Sequence, residues 1–152
     1  LCVCDSLNYL LEEREILQTF RLVDNYLDPG GLFLFDFNTP YKYGTLIGED
    51  TIAENREDCS FIWENYYDEE RQINEYELTV FIRQQESGLF SRFTEFHYQK
   101  GYTLPVIRIL VEQSGLEFVM ALDGDTFTEV AESSGRIFCV ARECKKEKTQ
   151  SG

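Results

Sequence analysis

Apolar and polar positions change their spacing twice along the chain. In the first stretch Ile16, Phe20, Val23 and Leu27 recur at the interval of one helix face. Asp28-Pro29-Gly30-Gly31 closes that helix, because proline cannot extend a helix and glycine accepts the positive φ of a C-terminal cap. Leu32-Phe33-Leu34-Phe35 follows with no polar interruption, the pattern of a strand covered on both faces in a parallel sheet. Asp36 and Asn38 fall at its carboxyl tip, the edge of an open α/β sheet where ligands bind. Upstream, Leu1-Cys2-Val3-Cys4 predicts a second buried strand with Asp5-Ser6 at its tip. Asn8 and Tyr9 lead from there into a helix running on through Glu12.

From Pro40 to about Thr103 the interval becomes two. Phe61, Trp63 and Tyr67 alternate with Ile62, Glu64 and Tyr66, and Tyr76, Leu78, Val80 and Ile82 alternate with Glu77, Thr79, Phe81 and Arg83. Phe93, Glu95 and His97 take the face opposite Phe90, Arg92, Thr94, Phe96 and Tyr98. Three antiparallel strands result, with an optional fourth at Thr51 to Asn55. Helical spacing then returns: Thr103 is the expected N-cap, Pro105 lies in the first turn, and Val106, Ile109, Leu110 and Gln113 are expected on the core side. Leu116 to Leu122 and Arg136 to Arg142 read as two closing strands, and Lys145 to Gly152 as a polar tail that frays.

Composition narrows the classes of partner. With 28 acidic against 14 basic residues the net charge is -14, which repels nucleic acid and anionic membrane surfaces. No stretch approaches the ~20 apolar residues of a membrane span, and none has the form of a signal peptide. Cys2, Cys4, Cys59, Cys139 and Cys144 are odd in number and scattered, which fits reduced thiols in a cytoplasm better than a disulfide framework. Cys2-Val3-Cys4 is too closely spaced for the usual metal hook and no histidine cluster joins it, so no metal site is expected.

The order of these motifs resembles the second half of a class I S-adenosylmethionine-dependent methyltransferase. The resemblance rests on Leu1-Cys2-Val3-Cys4-Asp5-Ser6-Leu7-Asn8-Tyr9-Leu10 and on Leu27-Asp28-Pro29-Gly30-Gly31-Leu32-Phe33-Leu34-Phe35-Asp36. Phe61 to Asp68, Glu95 to Gln99 and Glu132 to Ile137 resemble a bacterial subgroup with a small β insertion after the fifth strand. The fold implied is α/β: the C-terminal half of a Rossmann-like sheet, residues 1–40 and 103–145, with an inserted antiparallel β subdomain at 41–102 and a tail at 146–152. The sequence has no glycine-rich cofactor loop and no acidic residue for the ribose hydroxyls. The expectation is therefore a fragment that needs its missing half to bind S-adenosylmethionine well.

The resemblance implies that Cys4 and Asp5 border the methionine end of the cofactor, with Ser6 and Asn8 beside them and Tyr9 lining the reaction space. Asp5 and Ser6 are equally explained as helix caps. A small-molecule methyl acceptor is expected to approach Asp36 and Asn38, with Tyr41 and Tyr43 as pocket walls, although Asn38-Thr39-Pro40 also suits a plain turn. Trp63 and Tyr67 form an aromatic surface suited to a planar or cationic acceptor, or simply to packing. His97 is the lone histidine and a weak candidate proton acceptor, since imidazole ordinarily titrates near neutrality; a hydrogen-bonded sheet residue is the alternative. The competing reading is a non-catalytic assembly module that self-associates through the strand edge at Leu1 to Cys4. A nucleotide-dependent oxidoreductase stands further off, because no dinucleotide loop is present.

Overall fold

The computed structural model describes residues 1–146. The tail assigned to 146–152 therefore lies outside the described residues except for Lys146. Helix α1 (Glu13–Tyr26) leads to β1 (Leu32–Asn38), and a π-helix (Lys42–Ile47) leads into four strands: β2 (Thr51–Asn55), β3 (Cys59–Asp68), β4 (Ile73–Arg83) and β5 (Phe90–Lys100). Helix α2 (Leu104–Ser114), β6 (Glu117–Asp123) and β7 (Arg136–Arg142) complete the order. Two sheets result, one ordered β1-β7-β6 and the other β2-β3-β4-β5. The optional strand is thus present, and the alternation read from the sequence sets its faces: Trp63 pairs with Leu78, and Tyr76 with His97.

The smaller sheet carries the core on one face. Phe33, Phe35 and Phe37 of β1 and Ile137, Cys139 and Ala141 of β7 meet Ile16 and Phe20 of α1 and Ile107, Leu110 and Val111 of α2. Phe20 stands edge-on to Phe33 at 5.9 Å and tilted against Phe35 at 5.1 Å, geometries that aromatic quadrupoles favour.

Four expectations need correction. Leu1 to Cys4 is not a buried strand: one parallel bridge joins Cys2 to Phe35, Cys4 is exposed, and the backbone turns left-handed at Cys4 (φ 63°) and Asp5 (φ 59°) before a ladder can extend. Nor is β1 covered on both faces. Leu32 and Leu34 are 51% and 43% exposed, because both helices pack on the phenylalanine side and β1's long partner, β7, is antiparallel. The long helix does not run on from Asn8. A 3₁₀ turn (Ser6–Tyr9) intervenes, and α1 begins anew with a capping box between Glu12 and Glu15. On α2 the buried side is Ile107, Leu110, Val111 and Ser114, one position round from the expected stripe, which leaves Ile109 and Gln113 in solvent.

The helix stops where the sequence predicts, but its C-cap is Leu27 in extended conformation (φ -66°) instead of a left-handed glycine; Gly30 serves the following turn, which residues near position 145 clasp. Gly30 takes φ 74°, and its N–H donates to Glu143 Oε2 at 3.0 Å. Lys146 Nζ donates to the Asp24, Asn25 and Leu27 carbonyls that end the helix. Burial opposes ionisation of Glu143, but donation from the Gly30, Lys145 and Lys146 N–H groups outweighs it and lowers the carboxyl pKa. No helix among the described residues is long and apolar enough to cross a membrane.

Candidate functional site

The tip of β1 lies where the two sheets meet, and one side chain fastens the junction. Asn8 is fully buried; its Nδ2 donates to the Asn38 carbonyl (2.9 Å) and to the Lys100 carbonyl at the end of β5 (2.7 Å), while its Oδ1 accepts from Asn38 N–H (2.9 Å). The 3₁₀ turn, β1 and β5 are therefore held together by an amide with three of its bonds made to backbone.

Beside this junction opens a cavity of about 300 Å³ lined by Asp5, Asn38, Lys42, Tyr43, Ile47, Ile52, Trp63, Gln99, Asp125 and Arg136. Four of these, Asp5, Asn38, Tyr43 and Trp63, are expected from the sequence. Tyr43 is 1% exposed, accepts from Asn38 Nδ2 (3.2 Å) and donates to Gln99 Oε1 (3.1 Å), so one chain of hydrogen bonds ties both sheets to the π-helix. Burial first, and then neighbouring acidic and phenolic groups, raise the Tyr43 pKa well above the ordinary tyrosine value, so it remains a donor. Trp63 donates its indole N–H to Asn65 Oδ1 at 2.9 Å and packs on Tyr76 at 4.9 Å. Tyr67 stacks on Tyr43 at 6.4 Å from behind. A Cβ at Gly44 would come within 2.9 Å of the Tyr67 ring, so the glycine permits that approach.

Asp36 is fully buried and reaches the cavity only through Arg136. Arg136 Nε donates to Asp36 Oδ2 at 2.7 Å, Nη2 donates to the same oxygen, and the Cys4 N–H adds a bond at 3.3 Å. Asp36 Oδ1 is buried with no partner among the described residues. Asp36 thus anchors the guanidinium that faces the cavity, while Arg136 also lies over the Phe138 ring at 5.1 Å.

The opening segment carries the strain. Cys4 and Asp5 both sit in the left-handed region, a conformation costing on the order of 1–3 kcal/mol in non-glycine residues and concentrated at ligand sites. Asp5 makes no capping hydrogen bond, and Ser6 Oγ instead donates back to the Val3 carbonyl at 2.8 Å. Tyr41 turns the other way, into a separate cavity of about 440 Å³ with Thr39, Pro40, Leu104 and Val130.

Tyr9 and His97 meet outside the cavity lining, joined to its wall by the Tyr76 ring that packs on Trp63. Tyr9 Oη lies 2.7 Å from Tyr76 Oη and 3.2 Å from His97 Nδ1, and His97 Nε2 lies 3.2 Å from Glu95 Oε2. Tyr76 and His97 stack at 4.7 Å, 11° from parallel.

Sequence reasoning missed Arg136, Lys42, Gln99 and Tyr76 as parts of this site. Gln99 and Tyr76 share the His97 face by simple alternation, and Arg136 pairs in register with Asn38, so strand pairing was the signal that located them.

No protein-family model matches the chain. A protein of Geobacillus sp. (strain WCH70), whose name proposes a methyltransferase, is 37% identical over 141 residues, covering 91% of this chain and 56% of that protein. YqeM of Bacillus subtilis (strain 168), similarly named, is 28% identical over 142 residues, with 93% and 57% covered. The chain spans about half the length of these curated relatives. Among solved structures, an S-adenosylmethionine-dependent methyltransferase from Clostridium acetobutylicum ATCC 824 superposes with a TM-score of 0.83 at 24% identity, over 94% of this chain and 56% of that one. The sugar N-methyltransferase KedS8 from Streptoalloteichus sp ATCC 53650 superposes with a TM-score of 0.66 at 15% identity, over 91% and 54%.

Proposed function

We propose that this chain, which has the class I S-adenosylmethionine-dependent methyltransferase fold, is the acceptor-side part of an enzyme that methylates a small molecule. The observation carrying this reading is the cavity at the β1 tip, walled by Asp5, Asn38 and Arg136 on one side and by Trp63 and Gln99 of the other sheet on the opposite side. About 300 Å³ suits a small organic acceptor, with few polar groups fixing its orientation and an aromatic wall supplying contact area. In this reading residues 41–102 form an inserted subdomain that selects the acceptor, and residues 1–40 with 103–145 form the partial methyltransferase domain. The name of KedS8 as a sugar N-methyltransferase supports an amino sugar as one acceptor class to test.

The residues present fit the methionine end of S-adenosylmethionine. Asp5, free of any capping bond on a strained turn, suits the ammonium group, and Lys42 and Arg136 across the cavity suit the carboxylate. Cys4 and Ser6 border that end through the backbone of the turn, and Asn8 fixes the turn in place. When bound, the cofactor supplies an electrophilic methyl group on a sulfonium, so the chain's task is chiefly alignment. Asn38, Tyr43 and Trp63 orient the acceptor, Asp36 holds Arg136, Tyr67 supports Tyr43, and Tyr41 closes the neighbouring cavity. The glycine-rich cofactor loop lies outside these 152 residues in this reading, which the half-length coverage of the relatives supports. The five free thiols support a cytoplasmic setting.

Calorimetry with S-adenosylmethionine, run on this chain and on a relative-length polypeptide containing it, tests the reading. Transfer of labelled methyl to a panel of amino sugars, phenols and carboxylic acids then identifies the acceptor. Binding by the longer form and not by the chain alone is expected. No binding by the longer form sinks the proposal.

A second reading has one observation in its favour: the segment at Cys2 joins β1 by a single parallel bridge, and no other strand among the described residues pairs with it. Concentration-dependent association in sedimentation experiments would favour this assembly role.

A further inference from the structure

We propose that Tyr9, His97 and Glu95 form a proton relay next to the aromatic wall of the cavity, with Tyr9 Oη as the group that takes the acceptor's proton. This rests on the methyltransferase reading and narrows its substrate class to acceptors bearing a proton on nitrogen or oxygen.

The hydrogen-bond inventory sets the direction of the relay. A tyrosine hydroxyl has one proton to donate and two lone pairs. The Glu95 carboxylate can only accept, so it fixes the proton of the neutral imidazole on Nε2 and leaves Nδ1 to accept the Tyr9 proton. Tyr76 is 8% exposed; burial first, then the hydrogen bond and charge of Tyr9 and the charges of Asp5 and Glu95, raise its pKa, so it stays protonated, and with the Tyr9 proton committed to His97 the Tyr76 hydroxyl turns its own proton to Tyr9 Oη. One lone pair of Tyr9 Oη stays free on a side chain that is 45% exposed. Packing holds the ring for this arrangement: Tyr76 stacks on one face of His97 at 4.7 Å, and Tyr9 meets the ring edge-on at 5.9 Å. Trp63 continues the stack from Tyr76 to the cavity wall, so the relay and the proposed acceptor site share one aromatic ladder. The charged and titratable groups around the pair are Glu95 on β5, Tyr76 on β4, Tyr9 and Asp5 on the opening turn, and Tyr43 beneath them.

S-adenosylmethionine, held at its methionine end by Asp5, Lys42 and Arg136, would supply an electrophilic methyl group, the new bond to the acceptor's nitrogen or oxygen replacing the carbon–sulfur bond, whose electron pair would stay on sulfur. The acceptor's proton passes to the free lone pair of Tyr9 Oη as the Tyr9 proton moves to His97 Nδ1. The imidazolium so formed is held through Nε2–H by Glu95. Each proton has one donor and one recipient, and Tyr9 ends as it began.

Because His97 is the lone histidine, its ring nitrogens give an unambiguous ¹⁵N spectrum. The expected spectrum has Nε2 protonated and Nδ1 shifted as a hydrogen-bond acceptor. Tyr9→Phe moves the Nδ1 resonance toward that of a free acceptor, and Glu95→Gln moves Nε2. In the transfer assay with the relative-length polypeptide, His97→Gln lowers kcat roughly 10²-fold or more, removes the acid limb of its pH profile and changes KM little. A proton on Nδ1, or an Nδ1 resonance unmoved by Tyr9→Phe, overturns the relay. Wild-type kcat and an intact acid limb in His97→Gln overturn its catalytic role. Absence of transfer by the wild-type polypeptide sinks the methyltransferase reading itself, a failure that the nitrogen spectrum keeps distinct.

Discussion

Asn8 and Asn38 hold each other twice: the Asn8 amide donates to the Asn38 carbonyl and accepts from the Asn38 N–H, both at 2.9 Å. Residues thirty positions apart are thereby locked like neighbours in a ladder, although neither lies opposite the other in a strand pair.

Asn8→Ala leaves the buried Asn38 N–H without its partner and removes one bond each from the Lys100 carbonyl and the Asn38 carbonyl, the latter keeping the Tyr102 N–H at 3.2 Å. The loss is expected to be about 1–3 kcal/mol. Urea unfolding followed by circular dichroism measures it, and a wild-type midpoint would show that the clasp is dispensable.

Removing one half of the Asp36–Arg136 pair is expected to be worse than removing both. Asp36 has no exposed surface, so Arg136→Met strands a carboxylate among apolar groups at a cost of about 3–5 kcal/mol. Adding Asp36→Asn should recover most of that loss, and a double-mutant cycle in thermal melts reads the difference. Additive losses would argue against the pairing.

Trp63→Ala removes the aromatic wall of the cavity without touching the strained turn. Acceptor KM should rise about tenfold or more, while calorimetry finds S-adenosylmethionine bound as before by the relative-length polypeptide. Equal weakening of both would instead mean that the insertion shapes the whole site.

Alkaline pH should destabilise the fold through Cys139. Burial pushes this thiol up to about 12, whereas an unfolded cysteine titrates near ~8.5. Below that lower value both states carry the proton and stability is unaffected. Above it the unfolded chain releases the proton and the native chain keeps it, so stability falls as pH rises toward the folded value. Tyr43, Tyr76 and Tyr102, raised chiefly by burial, add to the decline only above the ordinary tyrosine range. Cys139→Ala should therefore flatten the dependence between about pH 8.5 and 10, measured by urea midpoints at each pH. A slope equal to that of the wild type would reject the assignment.

Periodicity located all seven named strands or their cores to within a few residues, because alternation and helical spacing are local properties. It failed where a long-range partner decides. Leu32 and Leu34 read as covered, yet their exposure depends on which face the two helices choose. The α2 stripe slipped by one position because Val106 and Ile109 are as apolar as Ile107 and Val111, so only packing separates them. At the site, Asn38, Tyr43 and Trp63 were legible from their place after β1 and on the β3 face. Arg136 was not, because its role comes from Asp36, one hundred residues away. Asp5 and Ser6 looked like helix caps, and the strained turn there is visible only in the backbone angles.

The register of β1 against β7 pairs Leu32 with Arg142. During synthesis the first strand therefore leaves the ribosome roughly a hundred residues ahead of its partner, an interval of about 5–20 s at ordinary elongation rates. The four-stranded sheet, whose neighbours are consecutive in sequence, is made entirely within that interval. Glu143 and Lys146, which clasp the turn before β1, emerge later still. Among these residues the four-stranded sheet is therefore complete before β7 and the residues that clasp the turn preceding β1 have been made.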